Sequence, residues 1–204
     1  MATRKYEQRL RAETADETRR RILDAVYERL RTAPSEPVGI DKVAKRAGVS
    51  RSTVYLVFGT RAGLFEALAA DLLARGGVEE MLKAAARPDA REGLRGAIHG
   101  CVSMYAAHRD VLRALSSLAA LDADSVGEAI RRMEEGRVGG MAHLAQRLAE
   151  QDVLDPDVTV GEATDLLWLL TSFDSFDLLY TGRGKTTETV AVTLCAAAER
   201  SLCR

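Results

Sequence analysis

Cysteine is scarce in this chain, with only Cys101, Cys195 and Cys203 among 204 residues. The number is odd and no pair stands in CxxC spacing, so the pattern offers neither a disulfide framework nor a zinc site. Histidine is as sparse, and His99, Cys101 and His108 do not share one helical face, so no metal ligand set emerges. No apolar run approaches the ~20 residues of a membrane span, and the opening MATRKYEQRLRAE has no apolar signal region. The expectation is a cytoplasmic protein with no membrane partner. Nucleophile elbow, phosphate loop, HExxH and GxGxxG are all missing, so the rival class of a small all-helical enzyme has no signature behind it, and no cofactor is expected. β-Hairpin patterns and internal repeats are missing too.

What is present is helix and an uneven charge. The formal net charge of −1 is almost neutral, but it hides two halves. Through Arg75 there are 15 Lys and Arg against 10 Asp and Glu; from Gly76 onward the counts are 14 and 20, so the halves carry +5 and −6. A local positive footprint is what phosphate binding needs, and an acidic remainder disfavours indiscriminate coating of nucleic acid. Arg4, Lys5, Arg9 and Arg11 stand ahead of Thr14-Ala-Asp-Glu17, which reads as a capping box for the first helix. Residues 1–13 are then a basic arm, reaching DNA or lying free. Later caps and breaks place helices from Thr60 to Gly76, Asp89 to Ala107, Asp110 to Leu121, Asp124 to Glu150, Thr159 to Tyr180 and Thr187 to Leu202. The fold class is all-α, with about nine helices. Gly136, Gly139 and Gly140 predict a kink or break inside the seventh, each costing about 0.5–1 kcal/mol relative to Ala.

The segment Val38 to Phe58, VGIDKVAKRAGVSRSTVYLVF, is the most telling. Ile40, Val43, Ala44 and Ala47 recur at i, i+3, i+4 and i+7, while Asp41, Lys42, Lys45 and Arg46 take the other face. Gly48 stops that helix and Ser50 caps the next, so the turn is only about three residues long. Val49, Val54 and Val57 fill the angle between the two helices. On the second helix Arg51, Ser52 and Tyr55 share one sector. Arg presents a fork suited to guanine, Ser can bond base edges or phosphate, and a Tyr hydroxyl is a phosphate donor. A plain helical hairpin with a solvated polar face fits the same spacing.

With its flanks, Thr18 to Leu30 (TRRRILDAVYERL) and Phe58 to Leu68, the segment resembles the N-terminal domain of TetR-family transcriptional regulators. Ala47, Gly48, Val49, Ser50, Val54, Tyr55, Phe58, Thr60, Arg61 and Leu64 fall on that family's pattern. The resemblance implies a three-helix DNA-binding domain over residues 14–75 and a larger helical regulatory and dimerisation domain over 76–204. It implies DNA contacts from Thr18, Gly39, Lys42, Ser50, Arg51, Ser52, Thr53, Tyr55, Thr60 and Arg61, with phosphates held by Ser50, Tyr55 and Arg61. Gly39 departs from the Thr often found as the second helix's cap, and Leu56 and Val57 stand where His or Tyr often precedes the Phe.

The resemblance further implies a homodimeric repressor of palindromic double-stranded operator DNA, released by a small-molecule effector. The last two helices would then meet a second copy through Leu166, Leu167, Leu170, Leu178, Val190 and Leu194. The stretch VGEATDLLWLLTSFDSFDLLY is apolar nearly all round, so it needs cover on more than one side; the core helix of a monomer would meet the same need. Asp174 and Asp177 within it are solvated, paired with Arg or turned to a ligand, with solvation the first expectation. An adaptable apolar pocket would draw on Met104, Tyr105, Met133, Met141, Trp168, Phe173 and Phe176, residues that equally suit a plain core. A helical DNA-packaging protein without ligand control is the remaining rival.

Overall fold

A computed structural model describes the backbone of residues 2–204 and the side chains of residues 13–204. Ten α-helices follow in order: α1 (Ala2–Thr32), α2 (Ile40–Ala47), α3 (Arg51–Phe58), α4 (Arg61–Arg75), α5 (Val78–Ala85), α6 (Ala90–Ala119), α7 (Glu128–Glu150), α8 (Val160–Leu170), α9 (Phe173–Tyr180) and α10 (Thr187–Leu202). A π-helical turn, Ala123–Gly127, lies between α6 and α7. Among the described residues the one departure from all-α structure is an isolated antiparallel bridge between Leu154 and Cys203. There Asp155 N–H donates to the Leu202 carbonyl at 2.7 Å, and Arg204 N–H to that of Val153 at 3.2 Å. Among the same residues no helix is long and apolar enough to cross a membrane.

The chain forms two compact units, Met1–Asp71 with Arg113–Ile130, and Leu72–Leu112 with Arg131–Arg204. The single boundary expected near residue 75 is therefore replaced by a first unit that also takes in 113–130. In that unit the amphipathic faces are buried as their spacing dictates. Ile22, Val26 and Leu30 of α1, Ile40, Val43, Ala44 and Ala47 of α2, Val54 and Phe58 of α3, and Leu64, Phe65 and Leu68 of α4 all lie in the core. Each large apolar side chain so buried stabilises the fold by about 1.5–3 kcal/mol. In the second unit Leu94, Ile98 and Val102 of α6, Leu144 and Leu148 of α7, Leu167 of α8, Phe176 of α9 and Val190 and Leu202 of α10 play that part.

Five local expectations change. The first helix starts at Ala2, so Thr14 to Glu17 lie within it and not at its start; the side chains of residues 1–12 of the proposed arm fall outside the described residues. Val78–Ala85, left without an element, is α5. The expected fifth and sixth helices are one element, α6, kinked at His108 (φ −122°, ψ 17°). α7 continues through Gly136, Gly139 and Gly140, because the strong helix formers flanking them outweigh a modest entropic cost. The 160–180 helix divides into α8 and α9. Thr171 Oγ1 donates back to the Leu167 carbonyl at 2.7 Å, and the Ser172 hydroxyl accepts from Ser175 N–H at 3.1 Å. Two adjacent hydroxyls thus offer the backbone an end and a fresh start.

Candidate nucleic-acid interface

The candidate interface is built on the turn between α2 and α3. Gly48 takes the left-handed conformation (φ 67°, ψ 35°), where a Cβ would be strained, and Val49 N–H closes the helix on the Ala44 carbonyl at 3.0 Å. Ser50 then caps α3, its hydroxyl accepting from Thr53 N–H at 3.0 Å. Its Oγ also lies 2.7 Å from that of Ser52 and 2.8 Å from Thr53 Oγ1. Three hydroxyls therefore gather at the N-terminus of α3, where unsatisfied N–H groups and the helix dipole favour an anion such as phosphate. Thr60 caps α4 through Gly63 N–H at 2.9 Å. The two helices approach so closely here that a Cβ on Gly63 would stand 2.3 Å from the Phe58 carbonyl oxygen.

Arg51, Ser52 and Tyr55 are all exposed on α3, as their shared sector predicts. Arg51 is not free in solution, however. Its guanidinium meets both Asp41 carboxylate oxygens, at 2.9 and 3.2 Å, and lies 5.7 Å from the centre of the Tyr55 ring. The Tyr55 and Asp41 contacts raise its already high pKa, so it stays a cation at any relevant pH. Lys42 likewise pairs with Glu36 at 3.2 Å; that bond, with the neighbouring Arg29 charge, holds the Glu36 carboxyl below its usual range. Gly39 precedes α2 in extended geometry (φ −79°, ψ 132°) and offers no side-chain cap. Thr18 is half-buried and lies 3.5 Å from an Arg21 nitrogen that donates to it.

Arg61 stands apart from the phosphate-holding role that the resemblance implies. Its Nε donates to Asp122 at 2.8 Å, its Nη1 to the Val38 carbonyl, and its guanidinium covers the Phe65 ring at 5.0 Å. All of these partners belong to the first unit, so the side chain ties the start of α4 to the segment before α2 and to the π-helical turn. Burial works against the Asp122 charge, yet the Arg61 bond and charge, with the bonds from Ser125, leave its carboxyl below the ordinary range. Sequence reading had no signal for this pair, since Asp122 lies 61 residues away. Leu56 was also passed over as a mere departure, and it is 86 % exposed on α3. Its place on the helical wheel, opposite Val54 and Phe58, was the available signal.

Within the second unit the residues assigned to a pocket divide. Met104, Tyr105, Met141 and Phe176 are buried and Phe173 and Met133 half-buried. Tyr105, Phe173 and Phe176 pack together, with ring centres 5.6 to 6.2 Å apart, and the Tyr105 hydroxyl donates to the Thr171 carbonyl at 2.9 Å. Burial raises the Tyr105 pKa strongly and pushes the nearby Cys101 thiol up to about 11, so both are neutral. Trp168 is instead 40 % exposed, its Nε1 donating to Glu134 at 2.9 Å and its ring 5.4 Å from the Arg137 guanidinium. It belongs to the surface. Asp177, expected in solvent, is buried and paired with Arg109 at 2.8 Å.

The interface assignment needs a similar correction. Leu167 and Val190 have no exposed surface and Leu194 keeps 5 %, so these three fill the chain's own core and present no surface to a second copy. Leu166 and Leu170 are half-buried and Leu178 is exposed. The break at Thr171–Ser172 resets the helical phase between α8 and α9, and the Ala163, Thr164, Leu167 side of α8 faces inward. The outward apolar residues are Trp168, Leu169, Leu178 and Val192, on three helices packed against one another.

Residues 22–68 match the family model described as bacterial regulatory proteins of the tetR family. No curated protein sequence matches the chain. Among solved structures, it is similar to a TetR family transcription regulator from Marinobacter aquaeolei VT8, with 17% identity, TM-score 0.68, and 94% of this chain and 98% of that one covered. A TetR-like transcriptional regulator from Rhodococcus sp. RHA1 is similar at 22% identity and TM-score 0.63, over 90% of this chain and 94% of that one. A ketosteroid transcriptional regulator of Mycobacterium tuberculosis is similar at 14% and 0.64, over 91% and 95%. At such identities the likeness to these structures is one of fold.

Proposed function

We propose, from the premise that residues 22–68 make this chain a member of the tetR family of bacterial regulatory proteins, that it is a homodimeric, cytoplasmic repressor released from a palindromic operator by a small molecule. One observation carries the reading. α3 is a separately capped helix whose exposed face presents Arg51, Ser52 and Tyr55, with the Ser50, Ser52 and Thr53 hydroxyls at its N-terminus. Such a helix suits the major groove, where an Arg fork reads guanine and hydroxyls hold the backbone. A single helix of eight residues reads few bases, so specificity calls for two copies on half-sites about 34–36 Å apart. Trp168, Leu169, Leu178 and Val192 are exposed apolar side chains on α8, α9 and α10 that a second copy can cover.

The effector would be apolar or amphipathic, taken up near Met104, Tyr105, Met141, Phe173 and Phe176, where flexible Met side chains can make room beside aromatic rings. It lowers operator affinity only if it binds better to the conformer that fits the half-site spacing worse. Selection of bound duplexes from a randomised library, followed by footprinting, tests the function. Two inverted half-sites with discrete protection are expected; uniform coating of any duplex would point to a packaging protein instead. A compound that weakens the operator must itself be weakened by operator DNA to the same factor, and stabilising compounds without that reciprocity would count against induction.

A further inference from the structure

We infer that Leu56 is a specificity-determining residue that reads the C5-methyl group of thymine in the operator; the inference rests on the DNA-reading role just proposed for α3. Leu56 is 86 % exposed, the most exposed of the large apolar residues in the chain's described part. A single exposed leucine is ordinary on a protein surface. This one stands on the exposed side of α3, at the Ser52 edge of the sector shared by Arg51, Ser52 and Tyr55. Val54 and Phe58, the two buried residues of α3, lie two positions to either side of it, and two residues of helix turn the side chain roughly to the opposite side. Ser52 lies one turn earlier on the same outward line and is also exposed. Arg51 and Tyr55, by contrast, both lie to one side of that line and are engaged with Asp41 and with each other. A strongly exposed side chain on this side of α3 is therefore apolar.

An apolar group there has one partner in the major groove. Base edges present hydrogen-bond donors and acceptors, except for the C5-methyl of thymine. Phosphate and guanine offer Leu56 nothing, and placing it against them would desolvate polar atoms without a bond. A thymine methyl gives a contact that buries apolar surface on both sides. Because α3 continues only two residues past Leu56, to Phe58, the thymine would lie on the far side of the bases met by Arg51 and Ser52.

The test uses the full-length protein on the duplex recovered by selection, with uracil substituted for each thymine in turn, which removes the methyl and leaves pairing intact. Wild type should lose about three- to fivefold in affinity at one position per half-site, the worth of one buried methyl-sized group. Leu56→Ala should bind the thymine duplex more weakly and be indifferent to uracil at that position alone, while Ser52→Ala keeps the uracil penalty. Leu56→Ala should also melt with the wild type, since so exposed a side chain supports no core. Uracil tolerated everywhere by wild type, or a penalty that persists in Leu56→Ala, would overturn the inference and leave the regulator intact. Failure to recover any preferred duplex would sink the DNA-reading role, and this inference with it.

Discussion

Two arginines ten residues apart stand in opposite settings. Arg51 is exposed and its hold on Asp41 lies in water, where such pairs are weak and easily exchanged for a base edge. Arg51→Ala should cost about 5- to 150-fold on the selected operator and relax preference at one base position; equal losses across a panel of single-base variants would remove it from base reading. Arg61 has its guanidinium occupied by Asp122, Val38 and Phe65. Its replacement by Ala should therefore lower folding stability by about 1.5–3 kcal/mol, while the salt dependence of DNA binding keeps its slope. The Asp122 carboxyl has a lowered pKa when folded, so its contribution is complete above the unfolded value near 4 and fades as pH falls through the folded one. Denaturation of wild type and Asp122→Asn should show a stability gap that is constant from neutral pH to about 5 and closes below about 4. A gap unchanged down to pH 2 would assign the Asp122 contribution to something other than its charge. Residue identity told where Arg51 stands, because four neighbours on one helix fixed its face. Nothing local could tell that Arg61 is spoken for, since its partners come from distant segments.

At the scale of elements, legibility followed the strength of the local signals. α2, α3 and α10 came out within a residue or two of their expected ends; Gly48 and Ser50 are caps whose bonds form as read, and α10 is capped by Thr186, which accepts from Thr189 N–H. Gly48→Ala should cost about 1–2 kcal/mol, the strain of a left-handed Cβ, measurable by urea denaturation. No loss would mean the turn can relax into another geometry. α5 was missed although Val78, Met81, Leu82 and Ala85 recur at i, i+3, i+4 and i+7, a stripe only two turns long directly after Gly76-Gly77. It buries none of its residues, and its seat is made by another helix. A Cβ on Gly96 would stand 2.8 Å from the Ala84 Cβ, and one on Gly100 2.4 Å from the Met81 side chain. Those glycines on α6, passed over in the sequence, form the surface on which α5 lies. The α8–α9 break escaped because Thr171 and Ser172 are common inside helices and end this one only by turning their hydroxyls on its backbone.

On the scale of the molecule, the two questions are how copies associate and which part opens first. The apolar residues left outward on α8, α9 and α10 argue for association through them. Leu178→Asp combined with Leu169→Asp should give a folded monomer, since an unpaired carboxylate in an apolar seam is costly, whereas Leu167→Asp should fail to fold. Sedimentation equilibrium decides between them, and a wild-type chain that stays monomeric at micromolar concentration would end the dimer proposal. The seat of α5 bears on the second question. A helix laid on glycines gains backbone proximity but little apolar burial, and its other attachments are a 3.7 Å contact from the Cys101 thiol to Met81 and the Arg147 bonds to the carbonyls of Ala85 and Arg87. Detaching it sacrifices far less than detaching α6, whose Leu94, Ile98 and Val102 are buried. Stability should therefore be graded, with the amides of Val78–Ala85 exchanging their hydrogens through a local opening well below the free energy of global unfolding. Residue-resolved hydrogen exchange would read that gradient, and equal protection of α5 and α6 would mean that the helix comes away only when everything else does.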